Sequence, residues 1–495
     1  MHTDFDRCYR AVQAKDARFD GWFVTAVLTT KIYCRPSCPV RPPYARNIRF
    51  YPTAAAAQRA GFRACKRCRP DASPGSPEWN VRGDVVARAM RMIADGTVDR
   101  EGVTGLAART GYTVRQLERL MQAEVGAAPL ALARAQRAQM ARVLIETTEM
   151  PFSDVAFAAG FASIRQFNDT VRAVCDLTPT MLRQRARARF GVADTAGTGV
   201  MSLRLPVRPP FAYEGVFGHL AASAVPGVEE VRDGAYRRTL RLPHGNGVVS
   251  LTPHPNHVQC RLVVDDFRDL SAAIARCRRL LDLDADPEAI VEALGADDQL
   301  TALVAKAPGQ RIPRTVDEHE LAVRVVLGQQ VSLAAARTHA ARLAIAYGQP
   351  IDDPEGGLTH VFPAVGQLAE VDPRHLAFPK SRQLSLAALI AALAYGTVAL
   401  DPGCDWNAAR EQLLALPGVG PWTAEMIAMR GLGDPDAFPV TDLGVRMAAQ
   451  QLGLPSAPRP LAARADTWRP WRSYATQHLW TALDHSVNHW PPKER

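Results

Sequence analysis

The pattern of apolar and polar positions divides the chain into segments of different predicted structure. Apolar residues recur at helical spacing between about residues 84 and 190. After residue 200, four short runs are typical of strands: "LRLPV", "YRRTLRL", "GVVSLTP" and "HVQCRLVV". The helical stretch "LSAAIARCRRLLDLD" follows them, which predicts a small α+β unit over residues 201–290. From about residue 315 the chain is rich in Ala and Leu at helical spacing, so we predict an all-helical part that extends to about residue 490.

Two stretches rich in small and turn-forming residues predict linkers between these segments. They are "PDASPGSPEW" at 70–79 and "GVADTAGTGV" at 191–200. A chain of 495 residues is also longer than one hydrophobic core commonly serves. We therefore predict four domains: a small α+β domain at 1–72, an all-α domain at 80–190, an α+β sheet domain at 201–295 and an all-α domain at 296–490.

The sequence offers neither a membrane span nor an export signal. No run of about 18 apolar residues occurs. The first residues, "MHTDFDRCYR", lack a charged start followed by an apolar stretch and a cleavage site. We therefore expect a cytoplasmic protein with no membrane partner. Its nine cysteines are better explained as reduced thiols, metal ligands or nucleophiles than as disulfides.

The positive charge is concentrated in the first part of the chain. Residues 1–190 carry 30 Lys and Arg against 17 Asp and Glu, a net charge of +13, whereas residues 191–495 carry 29 against 33, a net charge of −4. Residues 21–70 contain ten basic residues and no acidic one. A solvated basic face is one explanation, but fifty residues without an acid favour a partner that bears phosphates.

An internal repeat of about fifty residues lies in the first helical segment. The stretch "LAARTGYTVRQL" (106–117) matches "VAFAAGFASIRQF" (155–167), and a proline follows each copy. A helix, a turn with Gly111 or Gly160, and a second helix from near Thr113 or Ser163 predict two helix-turn-helix units.

The second helix of each unit carries side chains suited to DNA. Arg reads guanine edges, Gln reads adenine edges, and other basic residues hold phosphates. Amphipathic helices with exposed Arg are common in other proteins, so each single contact has a structural alternative. The candidates for DNA contact are Arg115, Gln116, Arg119, Arg165 and Gln166.

Four cysteines form two close pairs, Cys34 with Cys38 and Cys65 with Cys68. Each pair can supply two thiolates from one turn, and the loop between the pairs brings them together around tetrahedral zinc. The spacing therefore predicts a zinc site. Taken alone, it leaves open a zinc ion that merely stabilises a small domain.

The same stretch resembles the N-terminal domain of the Ada family of adaptive-response regulators, over residues 1–70. The resemblance lies in the cysteine spacing and in the elements "CRPSC", "GFR" and "CKRC". It implies one Zn²⁺ and a methyl acceptor, Cys34, which takes a methyl group from a DNA methylphosphotriester. A zinc-bound thiolate stays deprotonated and nucleophilic, and Arg35 beside it can attract the DNA backbone. Methylation removes one negative charge from the site, so we expect it to tighten DNA binding and to act as a switch.

The repeat resembles the DNA-binding domain of the AraC family of transcription regulators, across residues 84–185. The resemblance implies an activator that binds double-stranded promoter DNA and contacts RNA polymerase. The family usually has Gly three residues before the closing Pro. The first unit has Gly126 there, but the second has Asp176. Asp adopts a left-handed helix cap more readily than most residues, so the fold is expected to persist.

The stretch "LPGVGPWTAEMIAM" (416–429) has the glycine pattern of a helix-hairpin-helix. Gly418 and Gly420 permit a tight turn whose backbone N–H groups can hold a DNA phosphate without side-chain charge. Further along, "FPVTDLGVRM" contains Asp442, a candidate catalytic carboxylate. Without the hairpin, Asp442 would be interpreted as a helix N-cap.

With the hairpin, residues 203–490 resemble the AlkA-type family of 3-methyladenine DNA glycosylases. "RPPFAY", "VRVVLGQQVS", "LPGVGPWTAEMIAMRG", "TDLGVRM" and "WRPWRSYATQHLW" occur in family order. The resemblance implies that Asp442 stabilises the positive charge that grows on the deoxyribose while water attacks the anomeric carbon. Relatives that also cut the backbone carry Lys at position 422, whereas this chain has Trp422, so we expect base excision without lyase activity.

The resemblance also assigns a base pocket and a wedge. Six of the eight tryptophans lie after residue 405, and most of them are expected in the core. Trp422 and Trp480 are expected to line the base pocket, where a ring face attracts a cationic alkylated purine. Where related glycosylases place Leu as the wedge that replaces the flipped nucleotide, this chain has Gln330.

Together the three resemblances predict a bacterial alkylation-response protein that senses methyl damage, activates transcription, and excises 3-methyladenine and other alkylated bases. We expect no cofactor for the glycosylase, and a monomer associated with the nucleoid. Two alternatives stay open. One is a DNA-binding regulator whose glycosylase half is inactive and only recognises damage. The other is a repair enzyme whose front half anchors it to DNA without regulating genes.

Overall fold

The chain forms two compact units in the computed structural model. One comprises Met1–Pro209, Leu242–Gly245 and Asn256–Ala275, and the other Pro210–Arg241, Asn246–Pro255 and Arg276–Arg495. The four-domain division stays a prediction, and the two predicted linkers lie almost wholly outside the described residues. The structure describes residues 4–16, 19, 23–38, 40–65, 68, 70, 85–190, 200–370, 379–483 and 485–490.

The N-terminal part of the first unit is a four-stranded sheet with two helices. The sheet has the order β3-β1-β2-β4. Strand β1 is antiparallel to both β2 and β3, whereas β4 runs parallel to β2. The elements are α1 (Phe5–Gln13), β1 (Val24–Val27), β2 (Ile32–Cys34), β3 (Ile48–Tyr51), α2 (Ala54–Arg59) and β4 (Arg63–Ala64).

Seven helices follow in the same unit, as the helical spacing predicts. Buried apolar residues such as Leu106, Leu117 and Met121 form their core, and Ala55 of α2 packs into the same core. Helix α4 is interrupted at Gly102, where the backbone leaves helical geometry. The helices are α3 (Val85–Ala94), α4 (Thr97–Thr110), α5 (Val114–Val125), α6 (Pro129–Thr147), α7 (Phe152–Ala158), α8 (Ile164–Cys175) and α9 (Pro179–Phe190).

A five-stranded sheet with the order β5-β9-β8-β7-β6 confirms the predicted α+β region. The four predicted runs correspond to β5, β7, β8 and β9. The sequence pattern does not predict β6, because its residues "EEVR" are mostly polar and it is an edge strand. The elements are β5 (Met201–Pro206), α10 (Tyr213–Ser223), β6 (Glu229–Arg232), β7 (Ala235–Arg241), β8 (Asn246–His254), β9 (His257–Val264) and α11 (Leu270–Leu280).

The C-terminal part is helical as predicted, with one correction. Two strands of two residues, β10 (Gln349–Pro350) and β11 (His360–Val361), form an antiparallel hairpin. They are too short to leave an alternating pattern in the sequence. The helices are α12 (Pro287–Gly295), α13 (Thr301–Lys306), α14 (Glu318–Leu327), α15 (Leu333–Tyr347), α16 (Val365–Ala369), α17 (Lys380–Ala394), α18 (Trp406–Leu414), α19 (Pro421–Ile427), α20 (Leu443–Gln451), α21 (Pro458–Ala465) and α22 (Arg472–Thr481).

Buried ion pairs connect the sheet to α14 within the second unit. Glu229 on β6 accepts hydrogen bonds from Arg238 on β7 and from Arg324 on α14, each at 3.0 Å. Glu320 bonds the same two arginines, each at 2.8 Å. Such a network is stable only while every charge keeps its partner. It holds α14, the helix that leads to the predicted wedge, against the sheet.

No helix among the described residues is both long and apolar enough to cross a membrane.

Candidate functional site

The four predicted zinc ligands lie together. The Sγ atoms of Cys34, Cys38, Cys65 and Cys68 are all within 4.8 Å of one another. Four sulfurs at tetrahedral zinc are separated by roughly 3.8 Å, since each Zn–S bond is about 2.3 Å. The donor set therefore fits one zinc ion, and it is the one cluster of at least three possible metal ligands found in the described part of the chain.

The pairing of two strands brings the cysteine pairs together. Cys34 ends β2, and β4 pairs parallel to β2 with Ile32 opposite Arg63. The backbone N–H of Cys65 continues this pairing by donating to the carbonyl of Tyr33 at 2.9 Å. Cys34 and Cys38 are brought together by a turn. In this turn the N–H of Cys38 donates to the carbonyl of Arg35 at 3.1 Å.

The four thiols differ in exposure. Cys38, Cys65 and Cys68 are buried, whereas Cys34 is only partly covered. A hydrogen bond with Cys34 lowers the pKa of the Cys38 thiol to about 7. Arg35, next to Cys34, is half-buried. Cys34 is thus the least covered residue of the four.

The helix-turn-helix geometry is present in both repeats. Helix α5 begins after Thr113, whose Oγ accepts from the N–H of Gln116, and α8 begins after Ser163 in the same way. Gly111 and Gly160 both have positive φ in the turns, at 78° and 83°. The five side chains predicted to contact DNA are all exposed: Arg115, Gln116, Arg119, Arg165 and Gln166.

The two glutamines have different surroundings. The side-chain oxygen of Gln116 accepts a hydrogen bond of 3.1 Å from the backbone N–H of Thr113, which completes a capping box. Gln166 N–H donates to Ser163 Oγ at 3.2 Å, and its side chain makes no hydrogen bond to the residues that the structure describes. Reading adenine with two hydrogen bonds needs both ends of the Gln amide. To contact adenine in this way, the side chain of Gln116 must give up its hydrogen bond from the Thr113 N–H.

Asp176 caps α8 in the left-handed conformation, with φ 53° and ψ 33°, as predicted from the sequence. Gly126 occupies the same position after α5, with φ 71°. The carboxylate of Asp176 also lies 3.6 Å from Arg63 Nε, two residues before Cys65. Both side chains are substantially exposed, so this ion pair contributes little to stability.

The helix-hairpin-helix consists of α18, a tight turn and α19. Gly418 has φ 76°, and a Cβ there would lie 1.8 Å from Ser385 Oγ, so only glycine fits. Gly420 has φ −95° and open space where a Cβ would stand, so the fold itself does not require glycine there. A missing side chain at this position leaves room for a phosphate at the N-terminus of α19.

Asp442 is held by both predicted pocket tryptophans. Trp422 Nε1 donates to its Oδ2 and Trp480 Nε1 donates to its Oδ1, each at 2.9 Å. Oδ1 also accepts from the N–H of Val445, so Asp442 is the N-cap of α20 as well. The cap and the candidate catalyst are therefore the same carboxylate. Gly444 permits this arrangement, since a Cβ there would lie 3.2 Å from both Trp480 and Asp442.

The remaining tryptophans of this region belong to the core, as expected. Trp406, Trp468 and Trp471 are buried, and Trp490 is half-buried with its ring 5.2 Å from that of Phe217. Trp468 Nε1 donates to Asp297 at 2.8 Å.

The predicted wedge lies in the turn between α14 and α15. Gln330 is exposed and has φ 54°, a left-handed conformation that is uncommon outside glycine. Its neighbour Gln329 bonds to the hairpin: Nε2 donates to the carbonyl of Gly418 at 3.1 Å and to Thr423 Oγ1 at 2.9 Å. Gln329 was not predicted from the sequence, because nothing in the local pattern indicates contacts to residues so far along the chain.

Three family models match the chain. The model described as "Metal binding domain of Ada" matches residues 7–71. The model described as "Helix-turn-helix domain" matches residues 106–185. The model described as "AlkA N-terminal domain" matches residues 202–317.

Related proteins cover the chain whole and in parts. A Mycobacterium tuberculosis protein named "Probable bifunctional transcriptional activator/DNA repair enzyme AlkA" is 75% identical over 495 residues, which is 100% of both chains. The Escherichia coli "DNA-3-methyladenine glycosylase 2" is 34% identical over 55% of this chain and 94% of its own. The Escherichia coli "Bifunctional transcriptional activator/DNA repair enzyme Ada" is 32% identical over 38% of this chain and 52% of its own.

Proposed function

The chain belongs to the family of bifunctional transcriptional activator/DNA repair enzymes that join Ada-type to AlkA-type domains, and from this premise we propose what its two sites do. It is a DNA alkylation repair enzyme and a transcription regulator that binds DNA and carries a four-cysteine zinc site. The second site is that of a DNA glycosylase, which we propose hydrolyses the bond between deoxyribose and 3-methyladenine or another alkylated base.

Asp442 performs the glycosylase chemistry in this proposal. As the N-glycosidic bond breaks, its electrons leave with the base and positive charge grows on the sugar. The carboxylate stabilises that charge, and water adds to the anomeric carbon and releases a proton to solvent. The observation that carries the proposal is the pair of indole hydrogen bonds, each 2.9 Å, that hold Asp442 beside two aromatic rings.

Selectivity for alkylated bases follows from the same two rings. A purine methylated on a ring nitrogen carries positive charge, and an indole face attracts it by roughly 0.5 to 2 kcal/mol. An uncharged base lacks this attraction. Trp422 and Trp480 therefore both orient the carboxylate and favour the cationic base.

We also propose that the glycosylase is monofunctional and needs no cofactor. A lyase of this superfamily uses a Lys amine to form a Schiff base with the opened sugar, and position 422 carries Trp instead. The product is then an intact strand with an abasic site. A denaturing gel of the product with and without alkaline treatment distinguishes a monofunctional glycosylase from a lyase. A monofunctional enzyme leaves a strand that breaks only after alkali, whereas a lyase leaves a strand that is already cut.

Cys34 is the methyl acceptor in our proposal. Bound Zn²⁺ keeps its thiol deprotonated. The sulfur attacks the methyl carbon of a methylphosphotriester, an S–C bond forms, the C–O bond breaks, and a phosphodiester anion leaves. Support comes from its partial exposure, because the other three cysteines of the cluster are buried.

The methylated protein acts as an activator in the proposed regulatory role. Loss of one negative charge at Cys34 strengthens the attraction to DNA. The exposed residues of α5 and α8 then contact the bases of the promoter. The protein binds as a monomer and recruits RNA polymerase. In the alternative function, the glycosylase half recognises damaged DNA but is catalytically inactive. This alternative predicts that no base is released.

One experiment tests both chemistries. The protein is incubated with duplex DNA that carries labelled methyl groups, and the peptides and the free bases are then analysed. We expect label on the Cys34 peptide and labelled methylpurine in solution. Label on another cysteine would overturn the assignment of Cys34, and intact labelled purine in DNA would favour the inactive alternative.

A further inference from the structure

Gln329 joins three parts of the glycosylase site. It lies in the turn between α14 and α15, directly before Gln330. Its side-chain amide donates to the carbonyl of Gly418 in the hairpin turn at 3.1 Å and to Thr423 Oγ1 on α19 at 2.9 Å. The residue before Thr423 is Trp422, which holds Asp442.

The acceptors of Gln329 are fixed in position. Gly418 has positive φ, and Ser385 lies so close that no side chain fits there. Thr423 is buried on α19. An amide has two N–H groups, which satisfy two acceptors at once and define its orientation. Gln329 is thereby tied to the hairpin through both.

The neighbouring backbone needs such a tie. Gln330 has φ 54°, a conformation that costs energy for a residue with a side chain and persists where the surroundings impose it. Gln330 itself is exposed, whereas Gln329 is half-buried. The two bonds of Gln329 hold the turn in the form that directs Gln330 outward.

We infer that Gln329 is a positioning residue that couples the turn carrying the predicted wedge, Gln330, to the hairpin around Gly418, so that both engage DNA together. This inference rests on the proposed glycosylase function. A phosphate held at the hairpin then places Gln330 at the base stack, and the gap left by the flipped nucleotide is filled. Gln329 should therefore increase the excision rate only where the damaged base must first be unpaired and unstacked.

The test compares two duplexes that carry the same methylated base, one with its pairing partner and one with an abasic analogue opposite it. For Gln329→Ala we expect the single-turnover excision rate to fall about tenfold on the paired duplex and less than about twofold on the unpaired one. Gln349→Ala, at an exposed glutamine of β10, should match the unmodified protein on both.

Thr423 provides a second pair of variants should Gln329→Ala fold poorly. Thr423→Val removes one acceptor of Gln329, so excision should slow on the paired duplex and change little on the unpaired one. Thr423→Ser keeps the hydroxyl and should excise at the rate of the unmodified protein. Fluorescence of 2-aminopurine beside an abasic analogue reports base unstacking without any catalysis. It should rise less with Gln329→Ala than with the unmodified protein.

The outcomes separate the inference from the proposed function. Equal losses on the two duplexes, or no loss on either, would overturn the coupling role of Gln329. If the unmodified protein releases no base from either duplex, the proposed glycosylase function fails, and the 2-aminopurine signal still decides whether Gln329 promotes unstacking.

Discussion

The indole Nε1 of Trp480 donates a hydrogen bond of 2.9 Å to Oδ1 of Asp442, the same oxygen that accepts from the backbone N–H of Val445. One carboxylate oxygen thus receives a side-chain donor and a main-chain donor. Trp422 binds the other oxygen, so rotation of the carboxylate would break contacts on both sides. The carboxylate is preorganised before DNA arrives.

Trp480→Phe should slow base excision about tenfold, because it keeps an aromatic ring but removes one indole hydrogen bond from Asp442. Single-turnover rates on methylated duplex measure the effect. Trp468→Phe is the matched control, since it removes an equivalent bond to Asp297 in the core. It should lower the free energy of unfolding but not the rate. Similar rates for the two variants would contradict the role given to Trp480.

Asp442→Asn should reduce excision by at least about a thousandfold, because the neutral amide cannot stabilise positive charge on the sugar. Asn is also a good helix N-cap, so the fold is expected to survive. Release of labelled 3-methyladenine measures the loss. Asp405→Asn, at the N-cap of α18, repeats the change of cap without touching the site and should keep full activity.

Removal of zinc with a chelator should abolish methyl transfer to Cys34 but leave base excision intact. Without the ion, the thiol loses the charge that keeps it deprotonated. Metal analysis should find one zinc per chain before treatment. Base release in the same sample is the internal control, and its parallel loss would argue against two independent chemistries.

Glu229→Gln should lower the free energy of unfolding by about 3 kcal/mol, because it leaves Arg238 and Arg324 with fewer buried charge partners. Although burial alone would raise the pKa of Glu229, the charges of Arg324 and Arg238 lower it to about 2. The folded pKa lies below the unfolded value of about 4.3. The stabilisation is therefore complete above pH 4.3 or so and is lost as the pH falls towards 2.

Urea unfolding at neutral and acidic pH measures this contribution. The difference between Glu229→Gln and the unmodified protein should shrink as the pH falls through that window. Glu411→Gln, at an exposed glutamate of α18, should have little effect at either pH. An equal effect of the two substitutions would show that the buried network does not provide the stabilisation.

Local patterns in the sequence predicted most of the fold and all four thiols of the metal cluster. Period and spacing are properties of short stretches, so they predicted the helices of both repeats, four of five strands of the larger sheet, and the hairpin around Gly418. Strand β6 was not predicted, because a polar edge strand has no alternation of apolar residues. The burial of Glu229 on this strand depends on its pairing with distant arginines.

Contacts between distant residues could not be predicted from such patterns. The sequence indicated Asp442, Trp422 and Trp480 separately, but whether the indole N–H groups reach the carboxylate depends on side-chain rotamers and on the packing of three helices. Gln329 and Gly418 are 89 residues apart. A glutamine in a short turn has no local feature that distinguishes it from a solvent-exposed one.

The capping box of Gln116 restricts how this side chain can contact promoter DNA. Its side-chain oxygen already accepts a hydrogen bond from the Thr113 N–H, whereas the side chain of Gln166 makes no hydrogen bond within the part of the chain that the structure describes. Adenine recognition by Gln116 must first break the bond from the Thr113 N–H to its side-chain oxygen, and recognition by Gln166 breaks no such bond. The two half-sites should therefore differ in information content, with the bases under α8 more constrained and those under α5 more degenerate among regulated genes.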